Sequence, residues 1–347
     1  MKHTSWVAVL CILCTMVFFS TESWSLLVPV VAYGEATEVR PISSDQSLLF
    51  VGDVMLARQV AVLSSQFGAF YPWSGFDISS FASTTVVANF EASVPAVYRP
   101  TPAGSLTFAV PHTLLPALAT AGVDLVSLAN NHSDDYGMSG FIETTAALQA
   151  VGITSFGSPS NDITDSWQIV TLGDHKVAIV GLYLLEQTPT TEALTALFDR
   201  LNTVSDFQIA YVHWGNEYEL THSPVQEAQA KRLIAAGFDC IIGHHPHVVQ
   251  DIGVIDEVPV VYSLGNYIFD QYFSFEVMNG LAVKFSFSPE QFSLQLYPVE
   301  SRSQLSQPHA MDDNEKNTFL HSLAQKSDTK RMSDISNGTL TFPLQTP

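Results

Sequence analysis

Short apolar segments that each end in polar residues recur along this 347-residue chain, and they constrain its fold more than any other feature. Segments with helical periodicity, several of them closed by glycine, lie between them. Strands that alternate with helices are typical of the α/β class. Two further apolar runs, 167–183 and 280–300, turn back on themselves and predict antiparallel hairpins. Strands are predicted at 48–53, 84–91, 123–132, 206–215, 238–247 and 258–266, and helices at 111–122, 138–152 and 223–237.

Two stretches of the chain share one design. "ATAGVDLVSLANNH" and "IAAGFDCIIGHHPH" each run from a helix end through glycine, an apolar residue and aspartate into a strand and a polar loop. Superposed from Ala121 on Ala236, they place His132 opposite His247. Ligands of α/β sheets bind beyond the carboxyl ends of the strands. We therefore expect the two loops to meet at one site.

Five strand ends carry polar side chains that can take part in chemistry. Taken singly, each has a structural explanation, such as a turn, a helix cap or a buried histidine with a hydrogen-bond partner. Together, carboxylates, an amide carbonyl and imidazoles are the ligands that proteins use for one or two divalent ions, and Mn, Zn or Fe suits them. An unligated imidazole beside such ions can donate a proton. The residues are Asp53; Asn89 and Glu91; Asn130, Asn131 and His132; His213 and Glu217; and His244, His245 and His247.

Charge and the amino-terminal segment limit the function. The formal net charge is −20, from 34 acidic and 14 basic residues, which argues against nucleic-acid binding. Residues 1–25 have a basic start and an apolar stretch shorter than the ~20 residues of a typical membrane span. They predict a signal peptide or an N-terminal anchor, and hence an exported protein that is secreted or membrane-anchored. We expect a linker at 26–46, one domain at 47–300, and a polar carboxyl-terminal tail with a helix at 301–347.

Six short motifs occur in an order that resembles one known family. They are "FVGDVMLAR", "NFEAS", "LANNHSDDYG", "VHWGNEY", "GHHPHVVQ" and "YSLGNYIFDQ". As a set they resemble the CapA family of poly-γ-glutamate capsule synthesis proteins (PGA_cap), within the metallophosphatase (calcineurin-like phosphoesterase) superfamily. The resemblance covers roughly residues 48–271. It implies a four-layer α/β sandwich of two mixed β-sheets flanked by helices, with the site at the carboxyl edge of the sheets.

The resemblance also implies a role for each site residue. His132 is the implied proton donor or phosphate contact. The implied metal ligands are Asp53 and His247 for one ion, Asn131, His213 and His245 for the second, and Glu91 as the bridge. The implied pocket residues are Arg58, Asn89, Asp135, Glu217, His244 and Asn266.

The first strand end departs from the broader superfamily. It reads Asp53-Val54-Met55 where the superfamily has Asp-x-His, so one histidine ligand is absent. Glu91 replaces the usual bridging aspartate. A weaker site, a site for a single ion and a site without hydrolytic power are all compatible with these departures.

Two active functions stay open at this point, beside a third interpretation as a degenerate phosphatase fold that serves only as a structural scaffold. One is an exported factor of poly-γ-glutamate capsule synthesis or export, which binds an anionic polymer through divalent ions and associates with synthase or export subunits at the membrane. The other is a metal-dependent hydrolase of the cell envelope that cleaves a phosphoester or a γ-glutamyl amide.

Overall fold

The computed structural model describes residues 46–102, 105–160, 162–186 and 188–344. Within these ranges strands and helices alternate along most of the chain. The strands are β1 (Ser47–Val54), β2 (Thr84–Phe90), β3 (Leu125–Ser127), β4 (Thr154–Phe156), β5 (Trp167–Leu172), β6 (His175–Tyr183), β7 (Phe207–His213), β8 (Cys240–His244), β9 (Ile252–Ile255), β10 (Val258–Val261), β11 (Asn266–Ile268), β12 (Asn279–Ser288), β13 (Gln291–Glu300), β14 (His309–Ala310) and β15 (Thr339–Pro343). The helices are α1 (Arg58–Phe67), α2 (Leu115–Thr120), α3 (Gly137–Ala150), α4 (Thr191–Leu201), α5 (Pro224–Ala236), α6 (Asp313–Lys326) and α7 (Met332–Ser336).

The strands form two mixed sheets. The first has the order β14-β13-β12-β1-β2-β3-β4, with β11 paired to β1 and β15 paired to β13. The second has the order β5-β6-β7-β8-β10-β9. The central strands β1 to β4 and β6, β7, β8 and β10 pair in parallel, and the outer hairpin strands pair antiparallel. Parallel pairing brings the carboxyl ends of neighbouring strands to one edge of each sheet.

Alternating side chains of the strands face different cores. On β1, Leu49 and Val51 face an outer core that also holds buried residues of α1, α2 and α3. Leu48 and Phe50 face the core between the sheets, where they meet Ile209 of β7. A third core joins the far side of the second sheet to α4 and α5. The helix–sheet–sheet–helix order confirms the predicted four-layer α/β sandwich.

The two stretches of shared design fold alike. Gly122 and Gly237 follow their helices with φ of 102° and 123°, a conformation that side chains other than glycine rarely adopt. The Asp124 carboxylate accepts a hydrogen bond from a backbone N–H of β2 at 2.9 Å, and Asp239 accepts one from β7 at 2.8 Å. Each aspartate ties its own strand to the parallel neighbour, so the following loops emerge at equivalent edges.

The predicted strands and helices correspond to elements of the structure, but two helices, α1 and α4, were not predicted. Both hairpins are confirmed, and the first turns at Gly173. The helix expected at 111–122 is shorter, because a 3-10 turn precedes the α-helical residues Leu115–Thr120. Three-residue strands such as β4 and β11 are too short to show a periodicity in sequence.

The segment after residue 300 is more than the polar tail that the sequence predicts. The expected helix is present as α6, and β15 pairs antiparallel with β13. Leu320, Leu323, Ile335 and Phe342 pack into the core between the sheets. In "NEKNTFLHSLAQK" Leu320 and Leu323 lie among polar residues, so the sequence pattern does not indicate the buried side of the helix.

The predicted signal peptide or anchor and the linker up to residue 45 lie outside the described residues. In the part of the chain that the structure describes, no helix has the length and apolar character needed to cross a membrane.

Candidate metal centre

Asp53 lies at the carboxyl end of β1, between β2 and β11. Its register partners are Asn89 and Asn266. Close approach of β11 requires glycine at position 52, since a Cβ there would lie 2.0 Å from the carbonyl oxygen of Gly265. The Asp53 N–H donates to that same oxygen at 3.0 Å. The backbone thus holds the Asp53 carboxylate at the sheet edge, beside two asparagine side chains.

The second sheet supplies the histidines. His213 and His244 are register partners at the ends of β7 and β8. After β8 the chain passes through His245 and His247 with φ of 96° and 57°, a left-handed region that few residues other than glycine occupy. Consecutive histidines therefore face different groups. His244 Nδ1 lies 3.3 Å from Asp53 Oδ1, whereas the His245 ring packs against His213 with centroids 4.7 Å apart.

Glu91 lies where the carboxylates and imidazoles meet. Its Oε1 is 3.7 Å from His247 Nε2, and Asp53 Oδ2 is 3.4 Å from His247 Nδ1. On the other side, His213 Nε2 is 2.8 Å from Asn131 Oδ1. The structure therefore brings all six sequence-predicted metal ligands into one cluster.

Two groups of three side chains in this cluster are arranged to hold a cation. Glu91, His245 and His247 form one group, and Asp53, Glu91 and His213 form the other. Within each group, one ligand atom per residue lies within 4.8 Å of the others. Glu91 belongs to both groups, but His245 and His247 share one group, whereas the resemblance assigns them to different ions.

Several buried polar atoms of the cluster have no well-aligned hydrogen-bond partner among the described residues. They are Asp53 Oδ2, Glu91 Oε1, His245 Nδ1 and both ring nitrogens of His244. An unpaired buried polar atom costs about 1–3 kcal/mol, so several in contact need an explanation. A divalent cation fits, because carboxylate and neutral imidazole groups are lone-pair donors that such ions prefer.

Burial and mutual charge set the protonation of the cluster. Burial, assisted by neighbouring imidazoles, lowers the pKa of His213 well below its usual range and that of His245 to about 3. Burial acts against the charged form of His247 too, but the Glu91 and Asp53 carboxylates outweigh it and raise its pKa to about 9. Burial raises the pKa of Glu91 well above its usual range. Burial also opposes ionisation of Asp53, yet the adjacent imidazoles hold its pKa well below the usual range. The metal-free cluster thus keeps a proton on His247.

His132 and Asp135 form a pair beside the cluster. His132 Nδ1 lies 3.0 Å from Asp135 Oδ2, which also accepts from the Phe108 N–H at 2.6 Å. Since an ionised carboxylate only accepts, Nδ1 carries a proton and Nε2 faces Glu91 Oε1 at 4.0 Å. The imidazole stacks on the Phe108 ring with centroids 3.9 Å apart. His132 is therefore oriented toward the cluster without belonging to either three-residue group.

Asn89 and Asn130 form a chain of hydrogen bonds that leads to the two carboxylates of the cluster. Asn89, expected in the pocket lining, is buried and places its Nδ2 2.8 Å from Asp53 Oδ1 and 3.3 Å from Glu91 Oε2. Asn130 Nδ2 donates to Asn89 Oδ1 at 3.1 Å, and its Oδ1 accepts from the His132 N–H. These amides fix the orientation of both carboxylates.

The position of the absent histidine ligand is occupied by a buried methionine. Met55 is fully buried, and its Sδ accepts a hydrogen bond from the Ala57 N–H at 3.1 Å. Its side chain therefore serves local packing at the end of β1, and His244 from the other sheet contacts the Asp53 carboxylate instead.

Arg58 lies at the mouth of the site. Its guanidinium pairs with the Asp270 carboxylate, with 3.0 Å between Nε and Oδ2. The same group lies 4.4 Å from the ring centroid of Phe108 and 5.6 Å from that of Phe269. Because Phe108 stacks on His132, the ion pair closes one side of the cluster.

Asn266 and Glu217 complete the predicted pocket residues. Asn266 is buried, with its Oδ1 3.0 Å from His247 Nδ1. Glu217 is exposed, and its charge helps to raise the pKa of both Glu91 and His247. Asn266 thus contacts the predicted metal ligand His247 directly, whereas Glu217 acts on Glu91 and His247 through its charge.

A groove of about 990 Å³ begins at Arg58 and Tyr218 and follows α1. Val62 and Ser65 of α1, residues 98–102 and Phe273 contribute to its walls. The lining mixes apolar side chains with hydroxyl and amide groups. The groove shares Arg58, Tyr218, Asp270 and Gln271 with the mouth of the site.

Four residues of the site were not predicted: Tyr218, Gln271, Asp270 and Phe108. Tyr218 Oη accepts from Gln271 Nε2 at 3.1 Å. Tyr218, Asp270 and Gln271 lie within the motifs "VHWGNEY" and "YSLGNYIFDQ", so their nearness to predicted residues was the available indication. Phe108 stands outside all six motifs and has no such indication.

Comparison with known proteins adds to this geometry. The family described as "Bacterial capsule synthesis protein PGA_cap" matches residues 47–271. The chain belongs to this family. The match confirms the resemblance inferred from the six motifs, and it contains every residue of the two three-residue groups.

Curated relatives of this PGA_cap chain carry related names. The capsule biosynthesis protein CapA of Bacillus anthracis is 29% identical over 247 residues, which is 65% of this chain and 60% of the relative. The chain thus spans less than two thirds of that protein's length. The PGA biosynthesis protein CapA of Bacillus subtilis (strain 168) is 27% identical over 328 residues, 89% of this chain and 86% of the relative. Among solved structures, a hypothetical protein from Thermus thermophilus has a TM-score of 0.44 at 17% identity, covering 73% of this chain and 99% of that one.

Proposed function

We propose that this chain serves in the synthesis or export of an anionic capsular polymer, poly-γ-glutamate, and that it binds one or two divalent ions to do so. Membership of the PGA_cap family and the names of the two Bacillus relatives support the polymer. The set of unpaired buried lone pairs around Glu91 carries the metal part of the proposal. Mn²⁺, Zn²⁺ or Fe²⁺ matches this mixed nitrogen and oxygen set.

The chain's own residues prepare the site. His213 and His245 stay neutral because burial lowers their pKa, so their lone pairs are available at neutral pH. Asn89 orients both carboxylates, and the surrounding sheets exclude water. A bound cation would supply Lewis-acid attraction for a carboxylate, amide or phosphoryl oxygen. The residues that would hold it are Asp53, Glu91, Asn131, His213, His245 and His247.

Charge predicts how the polymer would bind. A polyanion is repelled by a protein of net charge −20 unless cations lie between them. We therefore expect poly-γ-glutamate to bind in Mn²⁺ or Zn²⁺ and not in EDTA, as measured by equilibrium binding of a polymer of defined length. The double variant His245→Ala, His247→Ala should lose this binding.

The control is the double variant His309→Ala, His321→Ala, which removes two histidines outside the cluster and should bind as the parent does. Polymer binding that survives both EDTA and the His245, His247 double change would contradict the proposal.

Location at the cell envelope is part of the same proposal and rests on the signal-like or anchor-like residues 1–25. We expect a carboxyl-terminally tagged chain to fractionate with the envelope or the medium, and to co-purify with capsule synthase or export subunits after cross-linking. Retention in the cytoplasm would count against export.

The His132–Asp135 pair favours a second candidate, a metal-dependent hydrolase of phosphoesters or γ-glutamyl amides. Asp135 orients the imidazole so that Nε2 faces the cluster, where it can hold or deliver a proton. We expect His132→Ala to abolish hydrolysis of a generic phosphodiester or of poly-γ-glutamate while the metal content is retained. If the parent protein with added Mn, Zn or Fe hydrolyses these substrates no faster than the uncatalysed background, this candidate function is excluded.

A further inference from the structure

A row of hydrogen bonds leads from His247 to the mouth of the site. His247 Nδ1 lies 3.0 Å from Asn266 Oδ1, and Asn266 Nδ2 donates to Gln271 Oε1 at 3.0 Å. Gln271 Nε2 then donates to Tyr218 Oη at 3.1 Å. We call Asn266, Gln271 and Tyr218 the amide–tyrosine row.

The direction of every bond in the amide–tyrosine row is fixed by its surroundings. Asn266 Nδ2 also lies 3.0 Å from the carbonyl oxygen of Val277, which can only accept. The amide nitrogen must therefore face Val277, and the amide oxygen must face His247. Gln271 Oε1 therefore accepts from Asn266, and its Nε2 donates to the Tyr218 hydroxyl oxygen. All the bonds thus run from His247 toward Tyr218.

This direction determines which nitrogen of His247 is available. Because Asn266 presents an acceptor, Nδ1 carries a proton, and the lone pair of the neutral imidazole is at Nε2. Nε2 is the atom that faces Glu91 Oε1 at 3.7 Å. Hydrogen bonds to the second ring nitrogen of a ligating histidine fix its tautomer and ring orientation.

We propose that Gln271 and Tyr218 are positioning residues that set the metal affinity of the centre through Asn266 and His247. The inference rests on the metal centre proposed above and adds two residues to which no part of it assigned a role. Neither residue contacts the cluster directly, and each acts through the orientation of the next.

The backbone of Tyr218 supports the same role. It has φ of 67°, a left-handed conformation that a bulky residue rarely adopts, and its N–H donates to the Pro246 carbonyl at 2.8 Å. Pro246 lies between His245 and His247. Tyr218 therefore contacts the histidine loop through its main chain and the row through its hydroxyl, and its ring is 41% exposed at the start of the groove.

The test compares full-length variants that break the row at different points. Gln271→Leu removes both hydrogen bonds of that side chain, and Tyr218→Phe removes only the hydroxyl. Gln271→Glu keeps an acceptor for Asn266 and is the conservative rescue. The matched control is Gln295→Leu with Tyr297→Phe, since the Tyr297 hydroxyl donates to Gln295 Oε1 at 2.6 Å on β13, outside the cluster.

The readouts are the Zn²⁺ dissociation constant, from competition with a chromogenic chelator, and the visible absorption spectrum of the Co²⁺ form. Gln271→Leu should weaken Zn²⁺ binding by about 10–100-fold and shift the Co²⁺ bands. Tyr218→Phe should weaken binding less, and Gln271→Glu should stay close to the parent. The control pair should match the parent in both measurements.

Two failures are distinguishable. A parent protein that binds no Zn²⁺ or Co²⁺ overturns the metal centre, and with it the role of the row. A parent that binds both ions while Gln271→Leu has the same affinity and the same spectrum overturns only the role of the row. If a variant only melts at a lower temperature in EDTA and its Zn²⁺ affinity is unchanged, the row stabilises the fold alone, and its role in metal affinity is overturned.

Discussion

Replacing Glu91 by glutamine should stabilise the metal-free protein and remove its response to metal. Glu91 Oε1 is fully buried and has no hydrogen-bond partner among the described residues, and burial raises its pKa above the ordinary value of 4.5. A glutamine can keep accepting from Asn89 at the second oxygen. A neutral amide group would then take the position of Oε1, 3.7 Å from His247 Nε2. Removal of the unpaired charged atom should therefore gain about 1–3 kcal/mol in EDTA.

The metal response has a calculable size. An ion at 100 times its dissociation constant stabilises the folded protein by about 2.7 kcal/mol. An unfolding entropy of about 2.1 cal/mol/K per residue over roughly 300 described residues gives about 1.6 °C per kcal/mol, so the parent should melt about 4 °C higher with metal than in EDTA. Glu91→Gln should show almost none of this shift, because both three-residue groups include Glu91.

The pH dependence gives the sign of the effect. A carboxyl whose folded pKa is raised destabilises the fold as pH increases from its unfolded pKa to its folded pKa. The advantage of Glu91→Gln over the parent should therefore be absent below about pH 4.5 and grow above it. Thermal melts in EDTA across pH 4–8 measure this difference.

Glu300→Gln is the control. Glu300 is a buried carboxylate outside the cluster that accepts from the Arg302 N–H at 2.6 Å and from the Ser303 hydroxyl at 2.5 Å. Its replacement should lower stability in EDTA and leave the metal response intact. If Glu91→Gln is instead less stable than the parent in EDTA, the charge is net favourable without metal and the reasoning from unpaired atoms is refuted.

Three further predictions concern proton release, backbone strain and the groove. The pKa of His247 is about 9, so a metal must displace its proton, and the Zn²⁺ dissociation constant should fall as pH rises to about 9 and then level off in chelator competition. Gly265→Ala should lower the free energy of unfolding, measured in urea, more than Gly173→Ala does. The two glycines have similar φ, 65° at Gly265 and 59° at Gly173, but an added Cβ would lie 2.9 Å from a backbone atom at Gly265 and would meet no atom within 4 Å at Gly173. Ser65→Trp should fill part of the groove and weaken binding of γ-glutamyl oligomers without changing metal content, whereas Val225→Trp on the exposed side of α5 should change neither.

Much of the site could be predicted because it depends on strand ends. Apolar runs that stop at Asp53, Glu91 and His213 mark the carboxyl ends of parallel strands, and within each sheet such ends lie along one edge. The internal similarity between the loops around His132 and His247 predicts that these loops meet at one site. Strand ends therefore indicate which side chains to examine together, without knowledge of any distance.

The rest depends on features that sequence patterns do not carry. Arg58 and Asp270 pair across 212 residues, and no periodicity links them. The left-handed conformation of His245 turns it away from Asp53 toward His213, and a histidine in a sequence does not indicate such a conformation as a glycine does. The carboxyl-terminal helix was found, but its packing was not, because the buried leucines lie among charged residues.

The central place of β1 has a consequence for how the chain reaches its native state. This strand is made early, yet it pairs on one side with β2 and on the other with β12, which ends at residue 288. During synthesis or translocation, that second edge stays open until most of the polypeptide has appeared, and open strand edges promote association between chains. Contacts this distant along the chain also slow folding. Refolding yield should therefore depend steeply on protein concentration.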